Sequence, residues 1–69
     1  MTAVFEPAAE GGYVCWLEEM PSVQTQGETL DEARENLREA FHLSVEYLRE
    51  RSREAASDSA RREVLDLVA

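Results

Sequence analysis

Residues 29–53, TLDEARENLREAFHLSVEYLRERSR, decide the fold of this chain. Thr29, followed three residues later by Glu32, forms a capping box, in which each side chain accepts a hydrogen bond from a backbone amide at a helix start. Acidic residues in the first turn and arginines in the last turn suit the helix macrodipole. We therefore predict a helix over residues 30–53. Its core-facing stripe, with spacings of three and four residues, comprises Leu30, Ala33, Leu37, Ala40, Phe41, Ser44 and Leu48.

Three short segments before this helix have the composition of strands. The first contains β-branched and aromatic residues and is limited by Pro7, and the second is an unbroken apolar run. The third is more polar and therefore a weaker prediction. Glycines mark the first turn because they tolerate positive φ, and Pro21 is interpreted as a breaker in the second connection. The predicted strands are residues 2–6, 13–17 and 23–26, with a turn at residues 8–12 and a connection over residues 18–22.

The second predicted strand is apolar on both faces. Cys15 points one way with Tyr13 and Leu17, while Val14 and Trp16 point the other way. One helix covers one face of a sheet, so another surface is expected to cover the second face. Leu43 and Tyr47 widen the apolar stripe of the helix and would cover a loop or a C-terminal strand, or meet a second copy. We predict self-association through Val14, Trp16, Leu43 and Tyr47.

The final residues, 61–69, read RREVLDLVA. Leu65 and Leu67 alternate with Val64, Asp66 and Val68, which favours a short fourth strand, while a continued helix is the alternative. The predicted fold class is α+β: a small antiparallel sheet with one long helix packed on one face, in the order β-β-β-α-β. A chain of 69 residues is expected to form a single domain, residues 1–69, with a core that is marginal on its own.

The charge distribution limits the classes of partner. The formal net charge is −8, and residues 1–33 contain seven acids and no base. Such a surface repels phosphate backbones and attracts basic proteins, so direct nucleic-acid binding is not expected. The alternative is that the acidity only keeps a small protein in solution. No apolar run approaches the roughly 20 residues of a membrane span, and no signal peptide is evident, so a cytoplasmic location without membrane contact is expected.

The sequence contains no recognisable catalytic or metal site. His42 has an ordinary solvated helix face around it, and Cys15 lies in an apolar strand where a thiol is usually inert. Glu18 and Glu19 are adjacent, so in a strand they would face opposite ways and make a poor acid–base pair. We therefore predict no enzymatic activity, no cofactor and no metal. A small enzyme that uses Cys15 or His42 is the competing hypothesis.

Three segments together resemble the HicB-like antitoxin domain family: residues 10–21 (EGGYVCWLEEMP), 26–33 (QGETLDEA) and 36–40 (NLREA). The resemblance extends over residues 1 to about 50. It implies the order β-β-β-α-β and a non-catalytic protein that neutralises a small basic RNA-cleaving toxin of the HicA type by masking its active site. Ser22-Val23 replace the Gly-Cys often found in the family. Many members also carry a C-terminal DNA-binding segment that is not recognisable here, so operator binding is not expected.

Candidate contacts with such a toxin are Trp16, Glu18, Glu19 and Asp66. An acidic surface suits a basic partner through electrostatic complementarity, and a large aromatic side chain is a frequent anchor in interface cores. The competing interpretation of Trp16 is a core residue. The competing function is a homo-oligomeric scaffold of HicB-like fold without a toxin partner.

Overall fold

The computed structural model describes residues 1–66 and contains a sheet with one helix on one face. The three strands are antiparallel and lie in the order β1-β2-β3, and α1 packs mainly on β3 and β2. The α+β class and the order β-β-β-α are thus confirmed. The elements are β1 (Ala3–Pro7), β2 (Tyr13–Leu17), β3 (Met20–Gly27) and α1 (Leu30–Ala55).

The first hairpin turn depends on glycine. Gly11 and Gly12 have φ angles of +102° and +74°, which L side chains rarely adopt. The amide of Ala8 donates to the carbonyl of Gly12 at 3.0 Å and closes the turn. This pairing places Pro7 opposite Tyr13 and Phe5 opposite Cys15. The predicted turn at residues 8–12 is confirmed.

The second connection differs from the prediction. Glu18 and Glu19 alone form the turn, and β3 already begins at Met20, so the predicted five-residue connection over residues 18–22 is wrong. Pro21 lies inside β3, which is an edge strand within the described residues. A proline is tolerated on an edge strand because its missing N–H need not bond to a second neighbour. A register shift between Trp16 and Leu17 accompanies this tight turn.

The core lies between the sheet and the first half of α1. Cys15, Leu17 and Val23 project from the sheet, and Ala33 and Leu37 project from the helix; all five are buried. They account for the predicted alternation of β2 and for the Ala33 and Leu37 positions of the helical stripe, whereas Leu30, its first predicted member, is 39% exposed. Leu48, in the second half of α1, is 53% exposed, so its predicted burial is wrong. Because α1 has 26 residues, it extends over about 39 Å, whereas the eight-residue β3 spans about 26 Å.

The predicted fourth strand does not form over the described residues of the C-terminal segment. Residues 61–66 have no regular secondary structure, and Val64 is 99% exposed. The segment follows a helix whose last turns have left the sheet, so no strand edge is beside it. The remainder of the predicted strand, residues 67–69, lies outside the described residues. Within residues 1–66, no helix combines the length and apolar character that crossing a membrane requires.

Candidate partner-binding surfaces

The sheet face opposite α1 carries an apolar centre with a polar border. Trp16 is partly buried and pairs with Val4 on β1 and with Gln24 on β3. Val14, 38% exposed, pairs with Gln26 on β3. We call this surface, Val4, Val14, Trp16, Gln24 and Gln26, the outer sheet face. No element within residues 1–66 packs on it, so the cover that the two-sided pattern of β2 predicts for this face stays a prediction.

The two glutamates of the β2–β3 turn have different surroundings. The Oε1 atom of Glu19 accepts a hydrogen bond from the amide of Thr2 at 2.8 Å, and this bond holds the pKa of the carboxyl below its usual value. The side chain of Glu18 is exposed and has no hydrogen-bond partner among residues 1–66. Glu19 therefore tethers the N-terminus, and Glu18 is the better candidate for a partner contact.

A second group of acidic side chains lies at the opposite end of the sheet. Glu10, Glu28 and Glu32 line a hollow of about 580 Å³ beside the first turn and the start of α1. Asn36 also lines it and donates to the carbonyl of Gln26 at 2.9 Å. The sequence analysis did not predict that these three glutamates lie close together. The signal for it was the position of these acids beside Gly11-Gly12 and Gly27, which the hairpin register brings together.

An apolar groove of about 540 Å³ opens between β1 and α1. We call it the β1–α1 groove. Arg34 and Arg38 line it with partly exposed side chains, and the Cζ atom of Arg34 lies 5.8 Å from the centre of the Phe5 ring. These arginines also pair with acids on their own helix, at 2.7 Å and 3.4 Å respectively. The groove thus has a basic rim in an acidic chain. Its lining residues are Met1, Ala3, Phe5, Leu17, Arg34, Leu37, Arg38, Phe41 and His42.

The structure divides the predicted self-association residues between two surfaces. Val14 and Trp16 lie on the outer sheet face, whereas Leu43 and Tyr47 lie on the half of α1 that leaves the sheet, 64% and 59% exposed. The hydroxyl of Tyr47 accepts a hydrogen bond from Arg51 at 3.0 Å. Asp66, a predicted partner contact, lies in the exposed segment after α1. The structure does not bring Asp66 beside Glu18 into one site.

Cys15 and His42 occupy very different environments. The Sγ atom of Cys15 is buried and donates to the carbonyls of Ala33 at 3.5 Å and Thr25 at 3.6 Å. Burial raises the pKa of this thiol, so the reactive thiolate is disfavoured. His42 is exposed and contacts the ring of Phe41 edge-on, with 5.9 Å between ring centres. In the described part of the chain, no three side chains converge as a metal site.

Comparison with known proteins gives one informative similarity. Over 46 residues, the chain is 41% identical to the UPF0150 protein ssl0738 of Synechocystis sp.. The match covers 67% of this chain and 64% of that protein, so it spans less than two thirds of the relative's length. The name of the relative states no activity and no partner. No protein-family model matches the chain. No solved structure matches it significantly.

Proposed function

We propose that this chain is a non-catalytic, antitoxin-like binding module that neutralises a small basic RNA-cleaving protein of the HicA type by masking its active site. The observation that carries the proposal is the acid-only sequence of residues 1–33, whose carboxylates lie at both ends of the sheet. The HicB-like sequence pattern supports the same proposal, and the similarity to a UPF0150 protein is compatible with it.

The acidic surfaces suit a basic partner in two ways. Exposed carboxylates such as Glu18 and Glu10 increase the association rate with a positively charged protein and oppose approach to RNA. An active site that binds RNA is itself basic, so an acidic surface competes with the phosphate backbone for it. Trp16 supplies an apolar anchor between the two acidic ends, because the outer sheet face joins them.

The experiment is co-expression with any small basic protein encoded beside this chain, followed by purification and an RNA-cleavage assay. We expect a complex that weakens with added salt and abolishes cleavage. Glu18→Lys is expected to raise the dissociation constant roughly tenfold at low salt, because it reverses a charge at the contact. Glu54→Lys, the same reversal near the distal end of α1, is the matched control and is expected to have little effect.

Two outcomes contradict this proposal. One is the absence of any complex with such a neighbour, and the other is a complex that leaves RNA cleavage intact. If Glu18→Lys and Glu54→Lys had equal effects, the β2–β3 turn would not be part of the contact with the partner. The double variant Glu18→Lys, Glu19→Lys is less informative, because it also removes the hydrogen bond between Glu19 and Thr2.

A second candidate function is a homo-oligomeric scaffold of HicB-like fold. The observation that favours it is the uncovered apolar centre of the outer sheet face, formed by Val4, Val14 and Trp16. A small domain with a limited core commonly gains stability by association. The scaffold requires self-association and no basic partner, so the two functions are separated by the co-expression experiment and by a dilution series of the chain alone.

A further inference from the structure

The two layers of the molecule differ in charge. Residues 1–28, which contain the three strands, have five acids and no base, whereas α1 has seven acids and five arginines. The three ion pairs among residues 1–66 each join an arginine to an acid within α1. The carboxylates of the sheet layer are therefore paired with no basic side chain in the described part of the chain. The outer sheet face lies on the side of the sheet away from the arginines of α1.

Two of these carboxylates flank Trp16 on the outer sheet face. Glu18 follows Trp16 by two residues, and its amide donates to the carbonyl of Thr2 at 2.8 Å, so β1 and β2 remain paired up to this position. Glu6 is exposed, and it lies two residues from Val4, which pairs with Trp16. Side chains two residues apart on a strand share a face and lie about 7 Å apart. Trp16 thus has one carboxylate on either side of it along the strands.

The surroundings of this face favour a basic protein over other occupants. With five residues in β2 and strands about 4.8 Å apart, the face covers on the order of 250 Å². A specific interface buries about 800 Å² of each partner, so any occupant must also contact the acidic turns around the face. A second copy would place like charges there, whereas a basic protein would place opposite charges. The described residues after α1 do not cover the face, since Val64 is 99% exposed.

We propose that the outer sheet face binds a basic segment of another protein, with an apolar side chain on Trp16 and basic side chains beside Glu6 and Glu18, and that this segment displaces a second copy. The inference rests on the proposed function for the charge of the partner, and it adds the face, the contacts and the exclusion of α1. Residues four apart in a helix rise about 6 Å. A helix with basic residues three and four positions to either side of an apolar residue therefore matches the two carboxylates.

Trp16 is the only tryptophan of the chain, so tryptophan fluorescence reports on this face alone. The probe is an alanine-based peptide of about 16 residues, long enough to form a helix, with a central leucine and lysines three and four positions to either side. A matched peptide has glutamates in place of the lysines. At low salt we expect the lysine peptide to shift the Trp16 emission to shorter wavelength, with a Kd at least roughly tenfold below that of the glutamate peptide.

Single substitutions in the full chain test the contacts. Glu18→Gln and Glu6→Gln are each expected to raise the Kd for the lysine peptide several-fold, because each removes a charge beside Trp16. Glu50→Gln removes an exposed charge from α1, so it is the matched control and is expected to leave the Kd unchanged. In sedimentation equilibrium, the lysine peptide is expected to reduce the mass of any assembly that the chain forms alone.

Equal binding of the two peptides overturns the proposal. So does a Trp16 emission that shifts when the chain alone is concentrated and not when the lysine peptide is added, because a second copy would then be the occupant. A shift of this emission caused by Leu65→Asp at high dilution also overturns it, since the chain's own C-terminal segment would then cover the face. The proposed function fails separately, when a basic neighbour binds the chain and still cleaves RNA.

Discussion

Gly27 is the residue at which the sheet and α1 approach most closely. A Cβ atom placed on Gly27 would lie 2.7 Å from the Cα atom of Ala33 and closer still to its backbone nitrogen. Ala33 is fully buried, so the helix cannot move aside without disturbing the core. The φ angle of Gly27 is not in the left-handed region. Glycine is therefore required here because a side chain has no room, and not because the backbone conformation excludes other residues.

Gly27→Ala is expected to lower the free energy of unfolding by about 1–3 kcal/mol, because the added methyl group forces β3 and α1 apart. Urea denaturation followed by circular dichroism measures the change. Gln24→Ala, on the exposed side of the same strand, is the matched control and is expected to stay within about 0.5 kcal/mol of the parent chain. Equal stability of the two variants would contradict the close-approach argument.

At the scale of the element, the start of α1 has one of the two hydrogen bonds that the capping box predicts. Thr29 has extended backbone angles, and its Oγ1 atom accepts a hydrogen bond from the amide of Glu32 at 3.1 Å. The carboxylate of Glu32 accepts from the amide of Glu28 at 3.2 Å, one residue before the Thr29 amide that a capping box uses. The bond from Thr29 satisfies an amide that has no partner within the helix.

Thr29→Ala is expected to lower the free energy of unfolding by about 1 kcal/mol, because the amide of Glu32 loses its acceptor. Thermal unfolding monitored at the helix band of circular dichroism measures the loss. Thr29→Ser keeps a hydroxyl at the same position, so it is expected to retain most of the stability. If both substitutions cost the same, the methyl group of Thr29 and not its hydrogen bond would be responsible.

Local sequence patterns predicted which strands and which helix form, whereas contacts between these elements determine where each one begins and ends. The Thr29 cap and the Gly11-Gly12 turn act within a few residues, so the sequence alone located them. Pro21 was interpreted as a breaker because its tolerance depends on β3 being an edge strand, which no local pattern reveals. Leu48 was assigned to the buried stripe because periodicity gives the direction of a side chain and not the length of the sheet beneath it.

At the scale of the whole molecule, the candidate surfaces were predictable only where strand alternation defines them. Val14 and Trp16 follow from the period of two along β2. Glu10, Glu28 and Glu32 are distant in sequence and meet because hairpin register places the first turn beside the start of α1. The β1–α1 groove likewise depends on α1 lying over β2 and β3, which leaves the helix-facing side of β1 open.

Self-association through the outer sheet face is the property of the whole molecule that the two-sided β2 predicts. Trp16→Asp removes the largest apolar side chain of this face and adds a charge. Burial of a large apolar side chain contributes about 1.5–3 kcal/mol, and each 1.4 kcal/mol corresponds to about tenfold in affinity. We therefore expect the dissociation constant of the assembly to rise at least roughly tenfold, as measured by sedimentation equilibrium over a dilution series.

Two matched variants identify the surface responsible for this association. Gln24→Asp adds the same charge beside Trp16 without removing apolar area, so it is expected to have a much smaller effect. Tyr47→Asp tests the distal half of α1, where the predicted residues Leu43 and Tyr47 are exposed. A larger effect from Tyr47→Asp than from Trp16→Asp would assign the interface to the helix. A parent chain that is monomeric at every concentration would contradict both surfaces, and would leave the apolar centre around Trp16 available to a different protein.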